Sequence, residues 1–236
     1  MSTVLVSALT YELGKQLGIE RASRQFIAQC EHPNRNSLPV ARMIARLRQL
    51  SEVIVYHGFS TSLPKARSRA AHEALSSAAD FWLMCDDDVE CDTDTLGRMF
   101  VIAGTAVPAA VVLPCVLRGT AADRSEVNVQ LTKGSIPISI GGFAAQTIDR
   151  GGTGMMLLNR AALERVSDHY RSELAWRDDD GVSKIALFQP ILSGGEWLGE
   201  DFSFCDRLLA AGVGLWAVLD GVSLHAGEGL RLASIR

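Results

Sequence analysis

The sequence has little of several features that would assign it to a specialised class of proteins. It carries 23 Lys and Arg against 27 Asp and Glu, a net charge of −4. It therefore lacks the basic excess that nucleic-acid-binding proteins use. The nearest basic feature is the segment 42–48, whose arginines stand on an apolar background typical of an amphipathic helix. We expect no nucleic-acid partner.

Cysteine is sparse and is arranged for neither disulfides nor zinc. The five cysteines are an odd number, and no Cys-x-x-Cys pair occurs, which indicates a reducing compartment and no thiolate zinc site. The N-terminal segment lacks the basic residues and apolar run of a signal peptide. The uncharged stretch Phe100–Leu117 contains Pro108 near its middle and is shorter than the ~20 residues of a membrane-spanning helix. We predict a cytoplasmic protein without a membrane span. The oligomeric state stays open.

The sequence does have an alternation of apolar runs and helical spacings through its first half. The predicted strands lie at 4–9, 53–56, 81–85 and 110–113, separated by predicted helices at about 39–50, 65–79 and 92–103. This alternation is typical of a parallel sheet covered by helices. The segment 118–148 is rich in Gly and Ser, which predicts loops and small antiparallel strands. We therefore predict one α/β domain over 1–236, Rossmann-like, with a mostly parallel central sheet, flanking helices and a small antiparallel part.

Three adjacent aspartates, Asp86, Asp87 and Asp88, follow the apolar strand predicted at 81–85. Ligands of open α/β sheets bind outside the carboxyl ends of the strands. Alternate side chains of an extended segment share a face, so Asp86 and Asp88 are expected to point together and Asp87 away. Such a pair suits a hard divalent cation, which would neutralise the charge of a departing diphosphate. The alternative is a solvated acidic turn. A second run, Asp178–Asp180, follows no predicted strand and is interpreted as a surface loop.

Four segments, in order along the chain, resemble those of nucleotide-sugar glycosyltransferases of the A-type fold. They are Ala66–Leu75 with Ala79–Val89, then Gly151–Arg160, then Gly199–Gly212, and finally Leu224–His225. The first is like the family's arginine-bearing helix before a strand that ends in Asp-x-Asp-Val. The third carries the Glu-Asp-x-x-Phe-Cys pattern of bacterial and phage-type members and is the most specific. The resemblance implies the A-type fold, with a nucleotide-binding half at 1–117 and an acceptor and catalytic half at 118–236.

The resemblance also implies roles for particular residues. Asp86, Asp88 and His225 would bind a Mn²⁺ or Mg²⁺ ion. Asp201 would act as the general base of an inverting transfer, and Glu200 would share or replace that role. Contacts to the nucleoside diphosphate sugar would come from Thr10, Tyr11, Arg67, Asp86, Asp87, Gly152, Thr153 and Gly154. The frame of the Asp-x-Asp motif within the three aspartates stays open by one residue.

The chain departs from the family pattern at Ser7–Tyr11, which is only similar to the family's start, and at 118–148, which matches none of its segments. Acceptor choice often depends on that second region, so the acceptor (glycan, protein, lipid or small molecule), the donor sugar and the stereochemical outcome stay open. Three alternatives remain. They are a non-catalytic nucleotide-sugar or carbohydrate-binding protein of the same fold, a haloacid-dehalogenase-type phosphatase using Asp92-Thr-Asp-Thr95, and a nucleotidyltransferase, for which the loop 10–18 offers only Lys15.

Overall fold

Sixteen β-strands and five α-helices occur among the residues that the computed structural model describes, which are 3–9, 38–50, 52–58, 62–86, 88–116, 127–225 and 231–233. The strands are β1 (Thr3–Leu9), β2 (Glu52–Gly58), β3 (Phe81–Asp86), β4 (Val89–Cys91), β5 (Ala109–Val112), β6 (Val129–Leu131), β7 (Ile138–Ile140), β8 (Phe143–Gly151), β9 (Met155–Asn159), β10 (Ala175–Arg177), β11 (Ser183–Ile185), β12 (Ile191–Ser193), β13 (Glu196–Leu198), β14 (Gly214–Val218), β15 (Ser223–His225) and β16 (Arg231–Ala233). The helices are α1 (Leu38–Leu50), α2 (Leu63–Ser76), α3 (Thr93–Thr105), α4 (Arg160–Tyr170) and α5 (Glu200–Ala210).

A nine-stranded sheet of order β2-β1-β3-β9-β5-β14-β8-β6, with β7 paired to β8, forms the centre of the molecule. Strands β2, β1 and β3 are parallel, and so are β5 and β14. Strand β9 lies antiparallel between β3 and β5, with Leu157 opposite both Leu83 and Val111. The predicted α/β fold class with flanking helices is thus confirmed. The sheet is mixed, and it takes a strand from the second half of the chain into its middle.

The apolar side chains of the sheet alternate between two cores, one on each face. Leu83, Val111 and Leu157 pack with apolar residues of α1 and α3. Their chain neighbours, among them Met84 and Met156, pack with residues of α2, α4 and α5 on the opposite face. Helices α2 and α5 therefore share one face of the sheet, which allows their side chains to meet. Among the described residues, no helix is long and apolar enough to cross a membrane.

Three small sheets surround the central one. Strand β4 pairs with β15 and β15 with β16, while β10–β11 and β12–β13 form two antiparallel hairpins. The prediction that 178–180 is a surface loop is wrong in part, because Asp178 is 5% exposed at the end of β10 whereas Asp179 and Asp180 are exposed. The nine-residue strand β8 was also not foreseen in a region predicted to hold loops and small strands.

Candidate active site

Arg67 links two carboxylate-bearing elements. It lies among the buried residues of α2, and its side chain is 4% exposed. Its Nη2 donates to Asp86 Oδ1 at 3.3 Å, and its Nη1 donates to Glu200 Oε1 at 2.9 Å and to Asp201 Oδ1. Asp86 is the last residue of β3, and the two acidic residues form the first turn of α5, where the helix dipole favours negative charge. One guanidinium thus joins the end of the sheet to the start of a helix.

The turn 152–154 contacts both Asp86 and Asp201, on the two sides of this network. The Asp86 N–H donates to the Gly154 carbonyl at 2.9 Å, and a Cβ on Gly154 would lie 3.1 Å from Asp86 Oδ2. Thr153 is fully buried, and its Oγ1 donates to Asp201 Oδ1 at 2.5 Å. The Gly152 N–H donates to the Asn128 carbonyl at 2.8 Å. The structure therefore brings the predicted glycine-rich turn into contact with Asp86 and Asp201.

Only some of the predicted metal ligands have side chains among the residues that the structure describes. Strand β3 ends at Asp86, and Asp88 lies in a turn, so the expected alternation of an extended segment does not reach Asp88. The backbone of His225 pairs with Val89, the residue after Asp88. The side chain of His225 lies outside the described residues, as do Thr10, Tyr11 and Asp87 entirely. Among the described side chains, no three His, Cys, Asp or Glu residues come together as a metal site.

A cavity of about 640 Å³ opens beside the first turn of α5. The β12–β13 hairpin contributes one wall, in which Trp197 is 74% exposed. The polar lining includes Gln130, Arg150 and Glu196 together with Glu200 and Asp201. Sequence reasoning missed this hairpin and the lining residues outside α5. The signal that would have found them is a large aromatic residue two positions after the pair Gly194-Gly195, which places a tryptophan in a surface hairpin.

A buried ion cluster lies at the same helix α2, two residues from Arg67. Asp178, whose side chain is 1% exposed, accepts from Arg69 Nε at 2.6 Å and Nη2 at 2.5 Å, and from Lys184 Nζ at 2.6 Å. The hydrogen bonds from Arg69 and then Lys184 hold the pKa of the Asp178 carboxyl well below its usual range, against the opposing effect of burial. The cluster fixes the β10–β11 hairpin to α2.

Asp92, which the phosphatase alternative needs as a nucleophile, has a structural position. It is the N-cap of α3, and its side chain accepts from the Thr95 N–H at 2.6 Å. Such a cap satisfies a donor that the helix leaves unpaired. The motif Asp92-Thr-Asp-Thr95 is thus a helix start, as its spacing also allows.

Comparison with solved structures identifies the fold. The A197 protein from STIV superimposes with a TM-score of 0.52 and 14% identity, over 100% of this chain and 96% of that one. GalNAc-T7, crystallised with UDP, GalNAc and Mn²⁺, superimposes with a TM-score of 0.50 and 11% identity, over 95% of this chain. The fold is the glycosyltransferase A-type fold.

The similarity to other proteins of the A-type fold is distant. This chain spans 43% of the GalNAc-T7 chain. A structure of TarS from S. aureus in complex with UDP-GlcNAc has a TM-score of 0.45 and 11% identity, with 100% of this chain and 59% of that one covered. No family model and no curated protein matches the sequence. At these identities the similarity concerns the fold, and function has to be argued from the site.

Proposed function

We propose that the protein is a metal-dependent glycosyltransferase that moves a sugar from a nucleoside diphosphate sugar to an acceptor hydroxyl. The observation that carries this proposal is the contact of Arg67 with Asp86 on one side and with Glu200 and Asp201 on the other. In an A-type fold this contact joins a carboxylate at the donor edge of the sheet to a candidate base. Residues 1–117 would supply the nucleotide-binding half and residues 118–236 the acceptor and catalytic half.

The donor side would be built around Asp86 and Asp88. The Asp86 carboxylate is 39% exposed and supplies the oxygen ligands that Mn²⁺ and Mg²⁺ prefer. Asp88 follows in the turn, and the β4–β15 pairing brings the backbone of His225 to the neighbouring residue. These three residues would hold the ion, which when bound neutralises charge on the diphosphate. The glycine at 154 leaves room beside Asp86 Oδ2.

The remaining donor contacts would come from residues around this edge. Arg67 and the backbone of 152–154 lie at the Asp86 carboxylate, where the diphosphate would bind. Thr10 and Tyr11 would follow the end of β1, the strand beside β3, and contact the nucleotide base. Asp87, between the two aspartates that would bind the metal, would contribute a further contact to the nucleoside diphosphate sugar.

Asp201 would act as the general base. As the acceptor oxygen attacks the anomeric carbon, its proton passes to the Asp201 carboxylate, the bond from that carbon to the diphosphate oxygen breaks, and the nucleoside diphosphate leaves. The attack from the opposite side inverts the configuration. Arg67 and Thr153 both donate to Oδ1 of Asp201 and so fix the orientation of its carboxylate. Proton transfer by a positioned group contributes about 10²–10⁴-fold to rate. Glu200, on the same guanidinium, would share this role.

Thermal unfolding with Mn²⁺ and a panel of UDP, GDP, CDP and dTDP tests the donor side. One nucleotide is expected to raise the melting temperature when Mn²⁺ is present and much less with EDTA. The expected stabilisation is about 2.7 kcal/mol at a ligand concentration 100 times its dissociation constant. If no nucleotide gives a metal-dependent shift, the proposal is wrong.

Two variants separate donor binding from chemistry. Asp88→Asn is expected to remove the metal-dependent shift. Asp201→Asn is expected to keep that shift and to lower sugar transfer, or donor hydrolysis in the absence of acceptor, by about 10²–10⁴-fold. Normal turnover by Asp201→Asn would contradict its role as base. A wild-type protein that binds the nucleotide-sugar and turns over none of it would be a binding protein instead.

A further inference from the structure

Trp197 presents its ring to the cavity beside α5. It is 74% exposed, although tryptophans in folded proteins are usually well buried. In β13, Glu196 and Trp197 are exposed and Leu198 is buried, and all three line the cavity. The pairing of β12 with β13 holds this strand in a hairpin. The exposed ring is therefore a built part of the cavity wall.

The charge of the lining selects against anions. Glu196, Glu200 and Asp201 bring three carboxylates to the cavity, and Arg150 is the cationic residue of the lining. Arg67 pairs with both Glu200 and Asp201, but its single charge is also shared with Asp86, so it does not neutralise the two. Arg150 is engaged by Asp206, to which its Nε and Nη2 donate at 2.9 Å and 3.0 Å. A phosphate or carboxylate in the cavity would be repelled, whereas hydroxyl groups would donate to the carboxylates.

The size and the mixed lining match one class of ligand. A volume of about 640 Å³ lies within the usual range of small-molecule sites. A pyranose ring has an apolar face of C–H groups and a rim of hydroxyls. The face of an aromatic ring carries negative charge density that attracts such polarised C–H groups. Trp197 and the surrounding carboxylates offer both complements in one cavity.

We infer that this cavity is the acceptor site and that the acceptor is an uncharged carbohydrate whose apolar face packs on Trp197. The inference rests on the proposed function, because it places an acceptor hydroxyl at Asp201, which lines the cavity. Trp197 is then a specificity-determining residue whose ring is the platform for the sugar. Glu196 accepts hydrogen bonds from hydroxyl groups at the sugar's rim, and Gln130 accepts or donates them.

Saturation-transfer NMR on the full chain tests the inference, with and without Mn²⁺ and the stabilising nucleoside diphosphate. The neutral probes are lactose, cellobiose and the methyl glycosides of glucose, galactose, mannose and N-acetylglucosamine. Glucuronic acid and glucose 6-phosphate are the anionic probes. At least one neutral sugar is expected to show transfer to its ring C–H protons, with binding about tenfold tighter than that of its anionic counterpart.

Variants of the hairpin show whether the ring is responsible. Trp197→Ala is expected to weaken binding of the neutral sugar about tenfold and to raise its KM as acceptor by a similar factor. Trp197→Phe should keep part of the affinity. Leu192→Ala is the matched control, because Leu192 lies opposite Trp197 in the same hairpin, is 69% exposed and is not part of the lining. An equal loss in Leu192→Ala would overturn the role of the ring.

Nucleotide binding, measured by thermal shift in the same samples, separates this inference from the proposed function. Metal-dependent nucleotide binding without a signal from any neutral sugar overturns the acceptor inference and leaves the transferase proposal standing. Sugar binding that depends on Trp197, without nucleotide binding, overturns the transferase proposal and with it the assignment as an acceptor site. Preferred binding of the anionic probes overturns the inference as well.

Discussion

Arg67 is the residue at which the two sides of the candidate site depend on each other. It contacts three carboxylates through one planar group, and a lysine cannot reproduce that fork of donors. We expect Arg67→Lys to lower transfer strongly and Arg67→Met to lower it further. Because the carboxylates are partly exposed, the loss of unfolding free energy in Arg67→Met should be modest, about 1–3 kcal/mol.

Urea unfolding and transfer assays check this expectation for Arg67. The matched control is Arg171→Met, which removes an ion pair with Asp168 in which both side chains are about two-thirds exposed. Exposed pairs of this kind contribute about 0–1 kcal/mol, so the control should change stability little and transfer not at all. Wild-type transfer by Arg67→Met would show that the network has no part in the reaction.

Gly154 controls the space beside the carboxylate of Asp86. A Cβ at this position would lie 3.1 Å from Asp86 Oδ2, which is closer than ordinary van der Waals contact. Gly154→Ala is therefore expected to displace the carboxylate and to weaken metal-dependent nucleotide binding about tenfold or more, measured by the thermal shift with Mn²⁺. Gly97→Ala is the control, since a Cβ there meets nothing within 4 Å. Equal nucleotide affinity in wild type and Gly154→Ala would contradict this expectation.

At the residue scale, the sequence allowed the choice of Arg67, Asp86, Glu200 and Asp201, and the structure brings these four together. Their roles stay predictions. The direct contact of Thr153 with Asp201 was not foreseen, because a hydroxyl in a glycine-rich turn can face solvent, ligand or protein equally well. Trp197 was not chosen for a related reason: a tryptophan in a sequence is expected to be buried, and its exposure depends on the hairpin that carries it.

Among the elements, helix α2 is held on the side away from the carboxylates of the candidate site by the β10–β11 hairpin. Asp178 is buried between Arg69 and Lys184, and removal of one partner of a buried ion pair costs about 3–5 kcal/mol. We expect Asp178→Asn to lower the unfolding free energy by an amount of this order. Asp179→Asn is the control: Asp179 contacts Lys65 and Arg69 but is 78% exposed, so its loss should cost much less than that of Asp178.

The stability difference between wild type and Asp178→Asn depends on pH with a definite sign. The pKa of Asp178 is lowered in the folded chain, so its contribution is fully present well above the unfolded value of about 3.9 and declines as the pH falls below it. The stability difference between wild type and Asp178→Asn should therefore be constant from pH 7 to about pH 5 and shrink at lower pH. Chemical denaturation at several pH values measures it; a difference that grows on acidification would contradict the assigned cause.

The hairpin shows why local sequence did not predict this element. Arg177 and three aspartates before Gly181 form a polar segment of the kind found in exposed turns. The partner that buries Asp178 is Arg69, 109 residues away along the chain, so no nearby residue indicates the pairing. By contrast, the start of α3 was predicted, because its capping residue, Asp92, is local to the helix that it begins.

At the scale of the whole molecule, the central sheet interleaves the two halves of the chain. Strand β9, five buried residues from the second half, supplies the partner of both β3 and β5. We therefore expect residues 1–117 alone to fail to fold, as measured by circular dichroism and amide proton dispersion. Co-expression with 118–236 should recover folded protein and metal-dependent nucleotide binding. A folded, nucleotide-binding 1–117 fragment would contradict this expectation.

The sequence predicted the class of the sheet and the positions of β1, β2, β3 and β5 but not the place of β9. Met155–Leu158 was recognisable as an apolar strand, since it is short, wholly apolar and bounded by glycine and asparagine. A strand that is buried on both faces shows no alternation that would tell its direction or its neighbours. The insertion between β3 and β5 depends on long-range pairing, which only the folded chain displays.

The position of β9 also has a consequence for how the protein is made. A ribosome synthesises β3 and β5 well before β9, so each of the two strands emerges with an edge that has no partner until β9 follows. Open edges are templates for aggregation. Slow decoding between residues 113 and 159 would lengthen this exposure, and synonymous codons in that interval should therefore affect the yield of folded protein more than those after it.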